Sequence, residues 1–302
     1  MENVLITGGT GLIGSHLSKL LLNKGYSVSL LSRSKKNMDS GIRYYYWDIA
    51  RGELEDNALK TADHIIHLAG ASIAGGRWTK KRKEELYSSR IGNSALILQK
   101  LKRIGHHVKT FISASAVGYY GDGRDKLLTE DAPCGKDFLA CLCRDWESQA
   151  MQMKSRGIRA VALRTGIVLS RQGGVLPELA RPMHFGVAVY MGDGKQYLSW
   201  IHIDDVCRAY LFALKNKNLE GVYNAVAPQP VTNREMITFI REARQSHALI
   251  LPAPAFALKL ALGEMSHALL TGQRCSSEKL IKAGFEFRYP DLKGALQEIY
   301  KG

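Results

Sequence analysis

The chain has 302 residues, 45% hydrophobic and 23% charged, with a formal net charge of +14. This composition excludes a disordered or fibrous chain and suits one large globular domain or two unequal ones. The charge favours anionic ligands, but the densest basic run, RWTKKRKEEL at 77–86, ends in two glutamates, and no aromatic-interleaved basic stripe or zinc spacing supports specific nucleic-acid readout.

The first residues, MENVLITGG, enter a strand at once, with no basic segment followed by an apolar leader. NVLIT (3–7) reads as a buried strand, and LIGSHLSKLLLNKG (12–25) as the helix after it. Between them GGTGLIG (8–14) contains G-x-G-x-x-G at Gly9, Gly11 and Gly14, or G-x-x-G-x-x-G counted from Gly8. A glycine turn from strand to helix lets backbone approach a pyrophosphate seated on the helix N-terminus. Gly8, Thr10, Gly11, Leu12, Ile13 and Gly14 are therefore the expected phosphate contacts.

SVSLLS (27–32) is the second strand, and Arg33, Ser34, Lys35 and Lys36 follow it with no carboxylate before Asp39. An NAD site usually places an acid here for the ribose hydroxyl. The fork of Arg33 suits a 2′-phosphate, so NADP(H) is the expected cofactor. After the third strand, Asp48 bonds an adenine amino group or is a turn residue. HIIHLA (64–69) then brings Leu68, Ala69 and Gly70 to a strand's carboxyl end, where doubly wound folds bind ligands.

Arg77 and Trp78 either clamp a planar anion or lie, respectively, in solvent and in the core. Thr79 caps a helix whose first turn is Lys80, Lys81 and Arg82, a charge order opposed to the helix dipole. SALILQKLKRIG (94–105), KTFISAS (109–115), a helix over 138–156 and RAVALRTGIVL (159–169) continue the strand–helix alternation. Such alternation predicts an α/β fold with a doubly wound parallel (Rossmann) sheet.

Beyond residue 170 the pattern loosens through GDGK (192–195), a WIHI strand, a DDVCRAYLFAL helix and a VYNAVA strand. Residues 1–170 are expected to form the nucleotide-binding domain, with 196–227 returning to it. Residues 171–302 then form a smaller, discontinuous C-terminal substrate lobe. The apolar stretch 251–270 is interrupted by Pro252, Pro254, Lys259, Glu264 and His267, and so does not span a bilayer comfortably. Five irregularly spaced cysteines form neither a disulfide framework nor a metal site, and a cytoplasmic protein with reduced thiols is expected.

GGTGLIG, AGASIAGGRW (69–78), FISASAVGYYGD (111–122), LRTGIVLS (163–170), SWIHIDD (199–205), TGQR (271–274) and AGFEFRYP (283–290) together resemble the extended short-chain dehydrogenase/reductase superfamily. More narrowly, the chain is similar to its NAD(P)-binding "epimerase family protein" branch over residues 3 to 297. The resemblance implies a Rossmann domain, an NADP-type cofactor, a small-molecule substrate in the C-terminal lobe and a homodimer.

The superfamily carries Tyr-x-x-x-Lys on the helix after its fifth strand, the tyrosine acting as acid or base. Here that helix reads FLACLCRDWE (138–147). Anchored on Glu147, it puts Cys143 at the lysine and Leu139 at the tyrosine. Ser115 corresponds to the superfamily's hydroxyl, with Ser113 on the same strand face. Tyr119 or Tyr120 can reach in from the loop as an acid, aided by Lys136 or Arg164; alternatively both tyrosines pack. Arg164 also stands among the expected cofactor contacts, and Gln273 and Arg274 among the substrate contacts. His202 reads as a structural residue at a helix start. Two functions remain open: an NADP(H)-dependent oxidoreductase or epimerase of a small polar or anionic substrate, and a non-catalytic nucleotide-binding or redox-sensing protein.

Overall fold

The computed structural model describes residues 1–33 and 41–301. Its central sheet has eight strands: β1 (Asn3–Thr7), β2 (Ser27–Ser32), β3 (Ile42–Asp48), β4 (Glu53–Leu54), β5 (His64–His67), β6 (Thr110–Ala116), β7 (Arg159–Thr165) and β8 (Gly221–Ala225). Their spatial order is β8-β7-β6-β5-β1-β2-β3-β4. Every junction is parallel except that between β3 and the two-residue β4. In register, Val4 lies between Val28 and His64.

Val4, Leu5 and Ile6 are wholly buried because helices cover both faces, which is why the strands read as apolar runs rather than alternating ones. On one face, α1 (Leu12–Asn23) sets Leu17 and Leu21, four apart, beside Val206 and Tyr210. The other face buries Ile97, Leu98 and Leu101 with Ala150. Ile97, Leu98 and Leu101 lie on α3 (Asn93–Arg103) and Ala150 on α4 (Phe138–Met151); α2 (Lys80–Tyr87) precedes them on the chain, and Val206 and Tyr210 lie on α5 (Ile203–Lys215). Sequential strands run outward from β1 in both directions, so the reversal of strand order leaves a crevice at the carboxyl ends of β1 and β5.

Two elements differ from the expected spans. The 138–156 helix is α-helical only to Met151; Gln152–Arg156 tighten into a 3₁₀ turn that ends at Gly157, whose φ of +70° is left-handed. The run 159–169 is two strands, not one. At Gly166 a Cβ would lie 2.5 Å from the Ser199 carbonyl oxygen, so the chain turns close against that backbone, and Ile167–Leu169 leaves the sheet to pair with Trp200–His202.

The remaining residues build a second core around Leu176, Trp200, Met236, Ile240 and Leu296. Its helix α6 (Asn233–Ala243) starts at a reciprocal cap between Thr232 and Glu235. The apolar 251–270 stretch breaks into a strand end, α7 (Ala255–Leu262), a 3₁₀ turn and α8 (Ser266–Leu270). Among the described residues no helix is long and apolar enough to cross a membrane. A last helix, α9 (Leu292–Lys301), packs Leu292 and Ile299 into the second core.

Candidate functional site

The turn from β1 into α1 is built at the lower limit of chain bulk. Gly8 has φ +69°, and a Cβ on it would come 2.8 Å from the Ala69 nitrogen. A Cβ on Gly14 would come 2.3 Å from the Gly8 carbonyl oxygen. That carbonyl accepts the Gly11 N–H at 3.1 Å, and Gly11 caps α1 without any side-chain bond. The opening amides at Leu12, Ile13 and Gly14 consequently have no intrahelical acceptor and favour an anion.

Thr7 fixes the neighbouring strand end. Its Oγ1 accepts the Leu68 and Ala69 N–H groups and lies 2.7 Å from His67 Nδ1. Ala69 and Gly70 are thereby held beside the glycine turn. Thr10 is exposed at the tip of that turn, and Arg33 is exposed at the carboxyl end of β2. Ser34, Lys35, Lys36 and Asp39 fall outside the described residues. Asp48 takes the turn alternative: its Oδ1 accepts the Ala50 and Arg51 N–H groups. These residues fit a dinucleotide, with bare backbone at the phosphates and a guanidinium at the end of the second strand.

The expected catalytic group is corrected by the packing of α4. Ser115 does not face open space; its hydroxyl donates to Glu147 Oε1 at 2.6 Å. Arg164 grips the same carboxylate with Nε and Nη2, each at 2.8 Å, and is itself 3% exposed. The expectation that Arg164 meets the cofactor is therefore replaced by a structural role. Its Nη1 donates to the Tyr120 hydroxyl, which donates to Asn224 Oδ1 at 2.7 Å.

Burial raises the Tyr120 pKa above its ordinary value despite the guanidinium beside it, so the phenol stays neutral. Tyr119 lies with its ring 3.4 Å from the Arg164 guanidinium carbon. Lys136 is exposed. The strand alternation explains the outcome: Ser113 and Ser115 share one face of β6, while Ala116 and then Gly118 reach the other opening.

That opening is a cavity of about 190 Å³ beside α4. Leu139 and Cys143 form one wall, with Gly118 beside them: a Cβ on Gly118 would lie 3.6 Å from the Leu139 Cβ. Burial pushes the Cys143 thiol up to about 12, with the Glu147 charge adding to it, so it is a neutral, apolar-like group. Trp78 and Trp146 supply flat walls, and Gln273 also lines the cavity.

Arg77 and Arg274 do not line it. Arg77 bonds the Leu260 carbonyl, and Arg274 bonds the Asp125 carbonyl and stacks over Tyr197. His202 is structural: its Nδ1 accepts the Asp204 N–H at the start of α5.

Three polar residues of the wall escaped the sequence reading: Arg90, Asp137 and His267. Asp137 caps α4 by accepting the Ala140 N–H, and its other oxygen lies 3.8 Å from His267 Nε2. An N-cap aspartate before FLAC was readable in the sequence; its meeting with a residue 130 positions later was not. Among the described residues no group of three or more His, Cys, Asp or Glu is placed to hold a metal.

A family model described as the NAD dependent epimerase/dehydratase family matches residues 4–225, and a domain of unknown function (DUF1731) matches residues 253–299. The epimerase family protein YfhF of Bacillus subtilis (strain 168) is 37% identical over 300 residues, which cover 98% of this chain and 97% of that protein. The human epimerase family protein SDR39U1 (isoform 2), solved with NADPH, superposes with a TM-score of 0.88 at 30% identity, covering 99% of each chain. A UDP-glucose 4-epimerase from Thermotoga maritima, solved with UDP-glucose, gives a TM-score of 0.82 at 22% identity, covering 99% of this chain and 97% of its own, a likeness of fold.

Proposed function

Because the chain belongs to the NAD-dependent epimerase/dehydratase family, we propose that it is an NADP(H)-dependent oxidoreductase or epimerase acting on a small molecule in the cavity beside α4. One observation carries this reading: the bulk-free turn at Gly8–Gly14 and Arg33 stand at the carboxyl ends of the neighbouring strands β1 and β2. The NADPH in the human relative supports the phosphorylated coenzyme. In this reading the amides from Thr10 to Gly14 hold the pyrophosphate, Leu68, Ala69 and Gly70 pass along the ribose, and Arg33 takes the 2′-phosphate.

When bound, a nicotinamide supplies or accepts hydride. The chain's own residues do the rest. Leu139, Leu142 and Trp146 keep water from the reacting position, and the His267 imidazole, 3.8 Å from Asp137 Oδ2, is a polar contact for the substrate on the same wall.

A second reading, a nucleotide-binding protein without turnover, is favoured by the apolar pair Leu139 and Cys143. Calorimetry on nucleotide-stripped protein tests the first. NADPH binds more tightly than NADH, and Arg33→Ala removes that preference, at least roughly tenfold. An unchanged NADPH affinity in that variant refutes the coenzyme assignment. A broad panel of carbonyl compounds and alcohols that leaves coenzyme absorbance constant decides for the second reading.

A further inference from the structure

The wall of the cavity holds a positive charge, Arg90, that forms no ion pair among the described residues, although the Asp137 carboxylate lines the same cavity. Arg90 stands on a π-helical turn, Ser88–Gly92, between α2 and α3, and is 8% exposed. Three bonds, to the Leu86 and Ala71 carbonyls and the Ser89 hydroxyl, engage three of the five N–H groups a guanidinium carries. The ionisable groups that act on it are Cys143, Arg82 and His67, with no carboxylate among them, and the Cys143 thiol is protonated.

Arg90 is also fixed in place. Its guanidinium carbon lies 5.2 Å from the Trp146 ring centroid and only 2.9 Å from where a Cβ on Gly70 would be. A cation buried at this depth without a counter-charge is costly, and a ligand carboxylate bonded to it recovers that cost.

Size and lining set the rest of the ligand. An apolar cavity of about 150 Å³ accommodates benzene, so 190 Å³ is room for one ring-sized body. Trp78, Trp146, Ile73, Leu142 and Ala268 give flat or apolar walls, and Asp137, His267, Thr271 and Gln273 add polar groups to the lining.

We infer that this cavity binds a small, flat carboxylic acid, aromatic or unsaturated, with its carboxylate on Arg90. The inference rests on the reading of this cavity as the substrate site, and it separates the substrate class from the UDP-glucose of the structural neighbour.

The test is a titration followed by intrinsic tryptophan fluorescence, since Trp78 and Trp146 line the cavity. The probes are trans-cinnamate and its neutral isostere cinnamamide, with UDP-glucose as competitor. Cinnamate quenches saturably, and cinnamamide binds at least about tenfold more weakly, as expected for loss of a charged hydrogen-bonded contact. In Arg90→Gln the two probes become equivalent, and Arg90→Lys restores part of the difference.

Equal affinity for acid and amide in the unmodified protein overturns the inference, whether or not Arg90→Gln folds. Absence of quenching by cinnamate, or its displacement by UDP-glucose at lower concentration, overturns it too. NADPH is titrated into the same preparation by calorimetry. Cinnamate binding without NADPH binding refutes the coenzyme reading alone, and the converse refutes this inference alone.

Discussion

Replacing Glu147 by glutamine removes one carboxylate charge and leaves its neighbours in place. In the folded protein that carboxylate accepts two N–H groups of Arg164 at 2.8 Å each and the Ser115 hydroxyl at 2.6 Å. The side chains of Arg164 and Glu147 are 4% and 7% exposed, so solvent cannot take over the stranded guanidinium. With charge centres about 4 Å apart and an effective dielectric near 20, the Coulomb attraction is about 4 kcal/mol. Breaking such buried pairs by removing one partner costs roughly 3–5 kcal/mol. At about 2–4 °C per kcal/mol, the melting temperature falls by roughly 6–20 °C.

Urea unfolding and thermal melting of Glu147→Gln measure this directly. The double variant Glu147→Leu/Arg164→Met, which strands no charge, is less destabilised than either single change. A Glu147→Gln protein within about 1 kcal/mol of the parent refutes the claim that this network is structural. Catalytic placement of Ser115 would then need to be reconsidered.

Gly14→Ala forces a Cβ toward the Gly8 carbonyl oxygen, now only 2.3 Å from that position, and weakens NADPH binding at least roughly tenfold by calorimetry. Unaltered affinity there contradicts the proposed phosphate grip. His67 is fully buried, and burial holds its pKa down at about 4. The unfolded chain takes up that proton near pH 6.5 and the folded chain does not, so this group's stabilisation is present above pH 6.5 and is lost as pH falls toward 4. It amounts to roughly 3 kcal/mol across that window, and a His67→Asn protein whose urea midpoint declines as steeply from pH 6.5 to 4.5 argues against it. Cys143, Cys207 and Cys275 are buried with thiols pushed up to about 12, while Cys134 and Cys141 are half-buried. Disulfide-exchange titration at pH 8 therefore modifies at most the latter two promptly and all five in denaturant; prompt labelling of Cys143 is the adverse result.

The sheet was legible because its signals are local. Asn3–Thr7 and Ser27–Ser32 are apolar runs bounded by turn residues, and the glycines at 8 and 14 sit where the chain has no room for a Cβ. The site was legible only in part. From the sequence, Ser113 and Ser115 share a strand face, but which face meets ligand depends on how α4 docks, and α4 presents Glu147 to Ser115.

The apolar replacement of the tyrosine and lysine was readable from FLACLC, and the cavity wall formed by Leu139 and Cys143 follows from it. Arg90 was hidden because a π-helical turn shifts it out of the 3.6-residue pattern used to assign faces. His267 was hidden because it comes from another lobe, and no periodicity relates it to Asp137.

The edge strand β8 has a consequence for dissecting the molecule. Gly221–Ala225 satisfies the outer hydrogen-bonding side of Arg159–Thr165, and Ile203–Lys215 covers the sheet's face, yet both are encoded after the chain has already visited the other lobe. A fragment that stops at residue 170 keeps the coenzyme turn intact but presents a raw β7 border and an uncovered greasy surface. Such a border recruits strands from other molecules. The amino-terminal half is thus not a separable cartridge; its solubility is written some fifty residues downstream of its apparent end, as the positions of β8 and residue 170 show.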